Sequence, residues 1–234
     1  MFYKLSNTID LLKIESAFDA HFKYPSLYET NPIINGLYEQ SLPVITKENP
    51  DQINYAIWGM VPQNYKDGWD SFQKLSNTLN IPLSKVNTLG WVHSLLNQQR
   101  CVIIVSGFFT SYVFNGEVYP YYVYSIDHKP FALAGVYSIL NDGFLSVSLI
   151  SSTKQNELKH IHNLGEDFPI ALSSEDFEDW FNLDINLPNC GIENLKPVEL
   201  NAHTISKEFY KNDIIYDAVL EPANYYSLPI HSLK

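Results

Sequence analysis

Apolar positions recur at Leu11, Ile14, Phe18 and Phe22, a helical spacing, with Asn7 or Thr8 placed to cap the helix and Asp10 in its first turn. From Lys23 to Pro43 the chain is rich in Tyr, Asn and Pro and reads as ordered loop. It leads to a short strand over Pro43–Thr46 and a second over Ile53–Trp58, ended by Gly59. Trp69 to Leu79 has a helical pattern, and Pro82 stops any continuation. The centre is β-rich. Cys101–Val105 is a continuous apolar run of the kind buried on both faces. Phe108–Phe114 and Val118–Ile126 flank Asn115-Gly116, a pair suited to the positive φ angles of a tight hairpin turn. Phe131–Leu140 and Phe144–Ser151 form a second pair around Asn141-Asp142-Gly143. Lys154–Ile161 and Ser174–Phe181 read as short helices, and the last fifty residues, which carry Pro188, Pro197, Pro222 and Pro229, show no period. The expectation is one α+β domain, mostly antiparallel sheet and barrel-like, with short peripheral helices.

Composition makes this a folded chain: 234 residues, 45% hydrophobic and 14% aromatic. No apolar run reaches the length of a membrane span, and the first residues lack the cationic start and apolar stretch of a signal peptide. The expected location is therefore cytoplasmic, with no membrane partner. Cys101 and Cys190 are far apart and in no metal-like spacing, so neither a metal nor another cofactor is expected.

Charge narrows the partners. Fifteen Lys+Arg stand against 26 Asp+Glu, a formal −11, and Arg100 is the single arginine. Phosphate recognition leans on arginine's planar fork. From His160 to Leu195 there are eight acids and no Lys or Arg. On charge alone, nucleic-acid binding is disfavoured.

Local motifs say little about chemistry. His160 and His162 would share one face of a strand and could begin a metal site, but spacing signals no third ligand, and ordinary packed or exposed histidines explain them as well. There is no phosphate loop, nucleophile elbow or HExxH helix. The aromatic run Tyr119-Pro120-Tyr121-Tyr122 alternates along an expected strand and suits cross-strand packing better than base stacking.

An ordered set of segments says more. Gln99 to Phe109, Tyr119-Pro120-Tyr121-Tyr122 and Pro130 to Gly135 resemble the centre of the SOS-response-associated peptidase (SRAP) family. Leu42 to Thr46 and Trp58 to Pro62 resemble its PVIT-like strand and WGLIP-like strand end. Ile161-His162-Asn163 and Phe168-Pro169 resemble its "IHN…RMP" stretch. The resemblance spans roughly residues 1–182, with 183–234 expected as a C-terminal extension packed on the same domain. It implies a protein that shields abasic sites in single-stranded DNA through a covalent crosslink. In that chemistry a cysteine after the initiator Met supplies a free α-amine, which attacks the ring-opened sugar as a Schiff base, and a thiol, which closes a thiazolidine. An asparagine, a glutamate and a histidine assist, while arginines and a tryptophan hold the DNA.

Carried onto this chain, much of that site is replaced. The cysteine's position is Phe2, and so large a second residue is expected to leave Met1 attached. The asparagine remains as Asn80 and the histidine as His162, although a local structural role explains either as well. The glutamate and tryptophan of "GFYEW" are Thr110 and Ser111, the arginine after Asn80 is Pro82, and the arginine of "RMP" is Asp167. Along the DNA groove the basic position survives as Lys4, and Trp58 and Pro62 keep the strand end. Loss of the nucleophile removes the covalent route outright, and loss of a positioned acid/base group typically costs ~10²–10⁴-fold in rate.

Three readings follow. The first is an inactive SRAP-like scaffold acting as a binding module, its cleft lined by Phe2, Thr110, Ser111 and His162 and suited to a small ligand or protein partner. The second is non-covalent recognition of single-stranded or damaged DNA. The third is an enzyme of another class using His162 as general base beside Thr110 or Ser111.

Overall fold

The computed structural model describes residues 2–88, 90–153, 158–184, 188–210 and 218–228. The strands are β1 (Lys4–Asn7), β2 (His21–Phe22), β3 (Asn31–Asn35), β4 (Ser41–Thr46), β5 (Asn49–Trp58), β6 (Asn80–Pro82), β7 (Arg100–Val105), β8 (Gly107–Phe114), β9 (Glu117–Ser125), β10 (Phe131–Ile139), β11 (Leu145–Ser152), β12 (Phe168–Pro169), β13 (Ala171–Leu172) and β14 (Leu200–Thr204). The α-helices are α1 (Leu11–Phe18), α2 (Trp69–Leu75), α3 (Gly90–Gln98) and α4 (Asp179–Asn182). The fold is α+β, as its sequence pattern predicts, and mostly antiparallel.

Two sheets organise it. In the larger, β5, β4, β7, β10 and β11 pair in succession, and β11 returns to β5 through the parallel register Leu145–Val147 against Ala56–Trp58. That last pairing closes a five-stranded ring. The smaller sheet runs β14-β9-β8-β1-β3. β7 and β8 are nearly continuous, separated by Ser106, whose backbone N–H donates to Ser6 O (2.9 Å).

β7 is buried on both faces, as its apolar run predicts. Val102 and Ile104 face a core that takes Ile14 and Phe18 from α1, Val92 and Leu96 from α3, and Trp180 and Phe181 from α4. Cys101, Ile103 and Val105 face a second core, shared with Leu5, Phe108 and Val123 of the smaller sheet. The period of two along one strand thus fills two layers at once. The β8–β9 hairpin turns on Asn115 (φ 50°) and Gly116 (φ 78°), the left-handed pair that a tight primed turn requires. At the base of β8, Gly107 lies under the Tyr122 ring, where a Cβ would come within 2.4 Å of a ring carbon.

Local details differ from the sequence pattern. The cap of α1 is Asp10, whose carboxylate accepts from Leu12 N (2.9 Å). Asn7 is drawn into β1, and the Thr8 backbone N–H is taken by Ser106 Oγ. α2 stops at Leu75, short of Leu79, because Thr78 N–H donates to Gln73 Oε1 (2.9 Å) and turns the chain toward β6. The helix expected over Ser174–Phe181 is α4 alone, preceded by turns. Of the helix expected over Lys154–Ile161, residues 154–157 lie outside the described residues and 158–161 form a turn. β1, β3, β6, β12, β13, β14 and α3 lie where the sequence pattern predicts no element, and Phe22, assigned to the helical spacing of α1, belongs to β2. Among the described residues no helix is long and apolar enough to cross a membrane.

Candidate functional site

β1 and β8, with the chain after β11, converge on one end of the smaller sheet. Phe2 enters just before β1 and is 3% exposed. Its ring meets Phe108 edge-on (5.7 Å between centroids) and lies against His162 (5.3 Å) and Phe168 (6.2 Å). The Phe2 carbonyl accepts from Asn80 Nδ2 of β6. Phe2 is therefore part of the hydrophobic core.

Thr110, on the same strand as Phe108, is buried, and its Oγ1 shares a 2.6 Å hydrogen bond with His162 Nδ1. His162 itself is 5% exposed. Burial among aromatic rings pushes its pKa down to about 4, so the imidazole is neutral at pH 7. Its Nε2 and the Asn80 Oδ1 are buried with no hydrogen-bond partner among the described residues. A buried polar atom left unbonded costs roughly 1–3 kcal/mol.

The C-terminal part of the chain closes this end. β14 pairs along β9, Thr204 opposite Tyr121 through Leu200 opposite Ser125. The 3₁₀ turn Lys207–Tyr210 then lies over β1 and β8. Lys4 Nζ donates to Phe209 O (3.2 Å) and stands 4.3 Å from the centre of the Phe209 ring. Phe209 packs on Phe109 (4.6 Å between centroids), and Tyr210 OH is 2.6 Å from Ser111 Oγ. Lys207 is anchored by Glu117, and its ammonium sits 3.8 Å from the centre of the Tyr119 ring. Between body and turn remains a cavity of about 390 Å³, lined by Phe2, Thr110, Ser111 and His162 from one side and Phe209 and Tyr210 from the other.

The family model of the SOS response associated peptidase (SRAP) matches residues 3–212. The chain belongs to the SRAP family. No curated protein matches its sequence. Among solved structures, the SRAP chain is similar to a protein from Bacteroides thetaiotaomicron, with a TM-score of 0.79 and 21% identity over 95% of this chain and 100% of that one. A protein from Bordetella bronchiseptica follows at a TM-score of 0.67 and 16% identity, over 87% of this chain and 99% of that one. A phage-related protein of Bordetella bronchiseptica has a TM-score of 0.59 and 12% identity, over 87% and 93%. At these identities the likeness is one of fold.

Within this SRAP fold the residues singled out from sequence separate into two groups. Phe2, Lys4, Thr110, Ser111 and His162 line the cavity. The others do not. Trp58 is fully buried, its indole N–H donating to Leu79 O (3.0 Å), so no ligand can stack on it without unfolding the strand end. Pro82 pairs within the sheet opposite Ser151. Pro62 and Asp167 are partly exposed, and Asn80 reaches the site only through the Phe2 backbone. Arg100 lies in the opposite core, where Nε donates to Leu96 O and Nη1 to Trp180 O, both at 2.8 Å. Sequence reasoning missed Phe109, Phe209 and Tyr210, which supply walls of the cavity. The aromatic Phe108-Phe109 pair beside the replaced motif was a readable signal, but nothing local tied Phe209 to it.

Proposed function

We propose that this SRAP protein does not form the DNA crosslink that the family resemblance implies, and that it acts as a non-covalent binding module through the cavity beside Phe2. One observation carries the reading: Phe2, where the resemblance puts the nucleophile, is a core residue packed on Phe108, Phe168 and His162. It offers no thiol to an aldehyde, and the loss is complete rather than graded. Two further facts support it. Lys4 and Ser111, expected along the DNA groove, are both engaged by the chain's own Phe209 and Tyr210. The single arginine, Arg100, bonds helix carbonyls in the opposite core. Non-covalent DNA binding has correspondingly less support, since a phosphate chain gains affinity from exposed cations.

The test is incubation with a single-stranded oligonucleotide carrying one abasic site, followed by a denaturing gel. No retarded band is expected from the native protein. None is expected from Phe2→Cys either, because restoring the thiol does not free Lys4 or Ser111. An adduct that survives denaturation with the native protein overturns the proposal, and one with Phe2→Cys alone restores the DNA groove to consideration.

A second reading has its own observation, the 2.6 Å contact between Thr110 Oγ1 and His162 Nδ1. A neutral imidazole can take the hydroxyl proton and make Thr110 a nucleophile toward a small ester. With a pKa near 4 it is a weak base at neutral pH, which ranks this reading second. If it operates, hydrolysis of p-nitrophenyl acetate rises between about pH 3 and 5, stays flat above, and disappears in Thr110→Val. A rate equal to that of Thr110→Val at every pH rejects it.

A further inference from the structure

A second cavity, of about 410 Å³, lies between the β10–β11 turn and the loop that leads into α2. Its aliphatic part comes from Ile57 of β5, Val61 just after that strand, and Leu140 just after β10. Tyr65 and Trp69 add two aromatic rings, both half-buried and neither closed over. Each is held in place: the Trp69 indole N–H donates to Gly59 O (3.0 Å), and Tyr65 meets Phe72 of α2 edge-on (5.0 Å between centroids). Three exposed carboxylates, Glu39, Asp67 and Asp142, complete the lining, each from a different loop. The lining holds no Lys, Arg or His. None of the ion pairs among the described residues uses these three acids.

Aliphatic surface, fixed rings and uncompensated carboxylates in one cavity select for a side chain of mixed character. An apolar stem ending in a cation matches all three, the stem shedding water while the head stays among the acids. Arginine fits better than lysine, because a planar guanidinium lies on an aromatic face while its fork meets a carboxylate. Charge of one sign without counterions also draws in a cation from about a Debye length, ~8 Å in physiological salt. The adjoining helix extends the surface. α2 buries none of its residues, and half-buried Phe72 and 80%-exposed Leu75 follow Trp69 at three-residue spacing. A chain that seats an arginine in the cavity therefore meets apolar surface beside it, which a free amino acid would leave unused.

We propose that this surface docks a segment of a partner protein, one arginine entering the cavity and an apolar neighbour lying against α2. The site is separate from the cavity beside Phe2 and independent of what that cavity binds.

Titration calorimetry on the full chain with acetylated, amidated pentapeptides tests this. A central arginine flanked by leucines is expected to bind with a Kd of roughly 0.1–1 mM. Lysine at the centre should be about threefold weaker, and citrulline, which keeps the shape and loses the charge, about tenfold weaker. Replacing the leucines by serines should also cost about threefold. Asp67→Asn with Asp142→Asn is expected to weaken the arginine peptide about tenfold. Glu175→Gln with Glu193→Gln removes the same charge from exposed positions outside the cavity and is expected to change affinity by less than about twofold. All four substitutions are at exposed positions, so the variants should fold, and their melting temperatures check it. Equal binding of the arginine and citrulline peptides, lysine binding as tightly as arginine, serine flanks binding as tightly as leucine, an equal loss in both double variants, or no binding at all each overturns the proposal. The result is separable from that of the gel, since an abasic-site adduct would defeat the non-covalent reading and leave the peptide titrations as they stand.

Discussion

Phe2→Ala is expected to lower the unfolding free energy by about 3–5 kcal/mol, the range for removing a buried phenyl group from a close-packed site. For a chain of this length that is a fall in melting temperature of roughly 6–20 °C. The ring is 3% exposed and contacts three other rings. Truncation therefore leaves a cavity rather than a surface dent. One effect opposes the loss: the new space lies beside the His162 ring, and water admitted there offsets part of the cavity term by bonding to polar groups. The expected value thus falls toward the lower end, and Phe2→Leu, which fills most of the volume, should cost less than half as much. Chemical denaturation of the three proteins measures this. A change below about 1 kcal/mol in Phe2→Ala would mean that the ring does not belong to the core, and the case for a displaced nucleophile site would go with it.

Arg100→Ala is expected to be comparably severe, about 3–5 kcal/mol. The guanidinium joins three elements: from β7 it bonds Leu96 O in the last turns of α3 and Trp180 O in α4, and it lies 5.2 Å from the Trp180 ring centre. Bonds from a charged donor to buried carbonyls contribute about 1.5–3 kcal/mol each, and removing the donor strands their acceptors. A cation at the α3 C-terminus also complements the helix dipole. Arg100→Lys should recover only part of the loss, since one ammonium cannot span both carbonyls along the guanidinium's fork. Far-UV dichroism during denaturation would register the effect. The same substitution should leave any nucleic-acid affinity unchanged, because the side chain is buried away from the cavity. A large drop in DNA binding with intact stability would reverse the assignment of this arginine.

Legibility in the sequence followed how local each signal was. β7 and the β8–β9 hairpin were readable because a six-residue apolar run and an Asn-Gly turn carry their own instructions. β3 and β14 are short, half-buried edge strands with no distinctive period, and β1, though buried throughout, is only four residues long. α3 did carry a signal in Trp91, Val92, Leu95 and Leu96, which share one face. Of the residues singled out through the family resemblance, Phe2, Lys4, Thr110, Ser111 and His162 line one cavity. Trp58 shows the limit of that route: a position can persist in a motif for packing and be buried where no ligand reaches. The closing turn was not legible, since Lys4 and Phe209 lie 205 positions apart and neither carries a mark of the other.

The parallel seam between β5 and β11 has a consequence for biosynthesis. Residues 56–58 must wait for residues 145–147 before the ring can shut. As translation proceeds from the amino terminus, the ribosome releases the first half of the barrel with Trp58 and its apolar neighbours uncovered for the time taken to make some ninety more residues. Distant parallel pairings of this kind form slowly and leave sticky edges in the interim. Nascent chains of this protein should therefore lean on holdase chaperones until β11 emerges, and fragments ending before it should precipitate rather than fold.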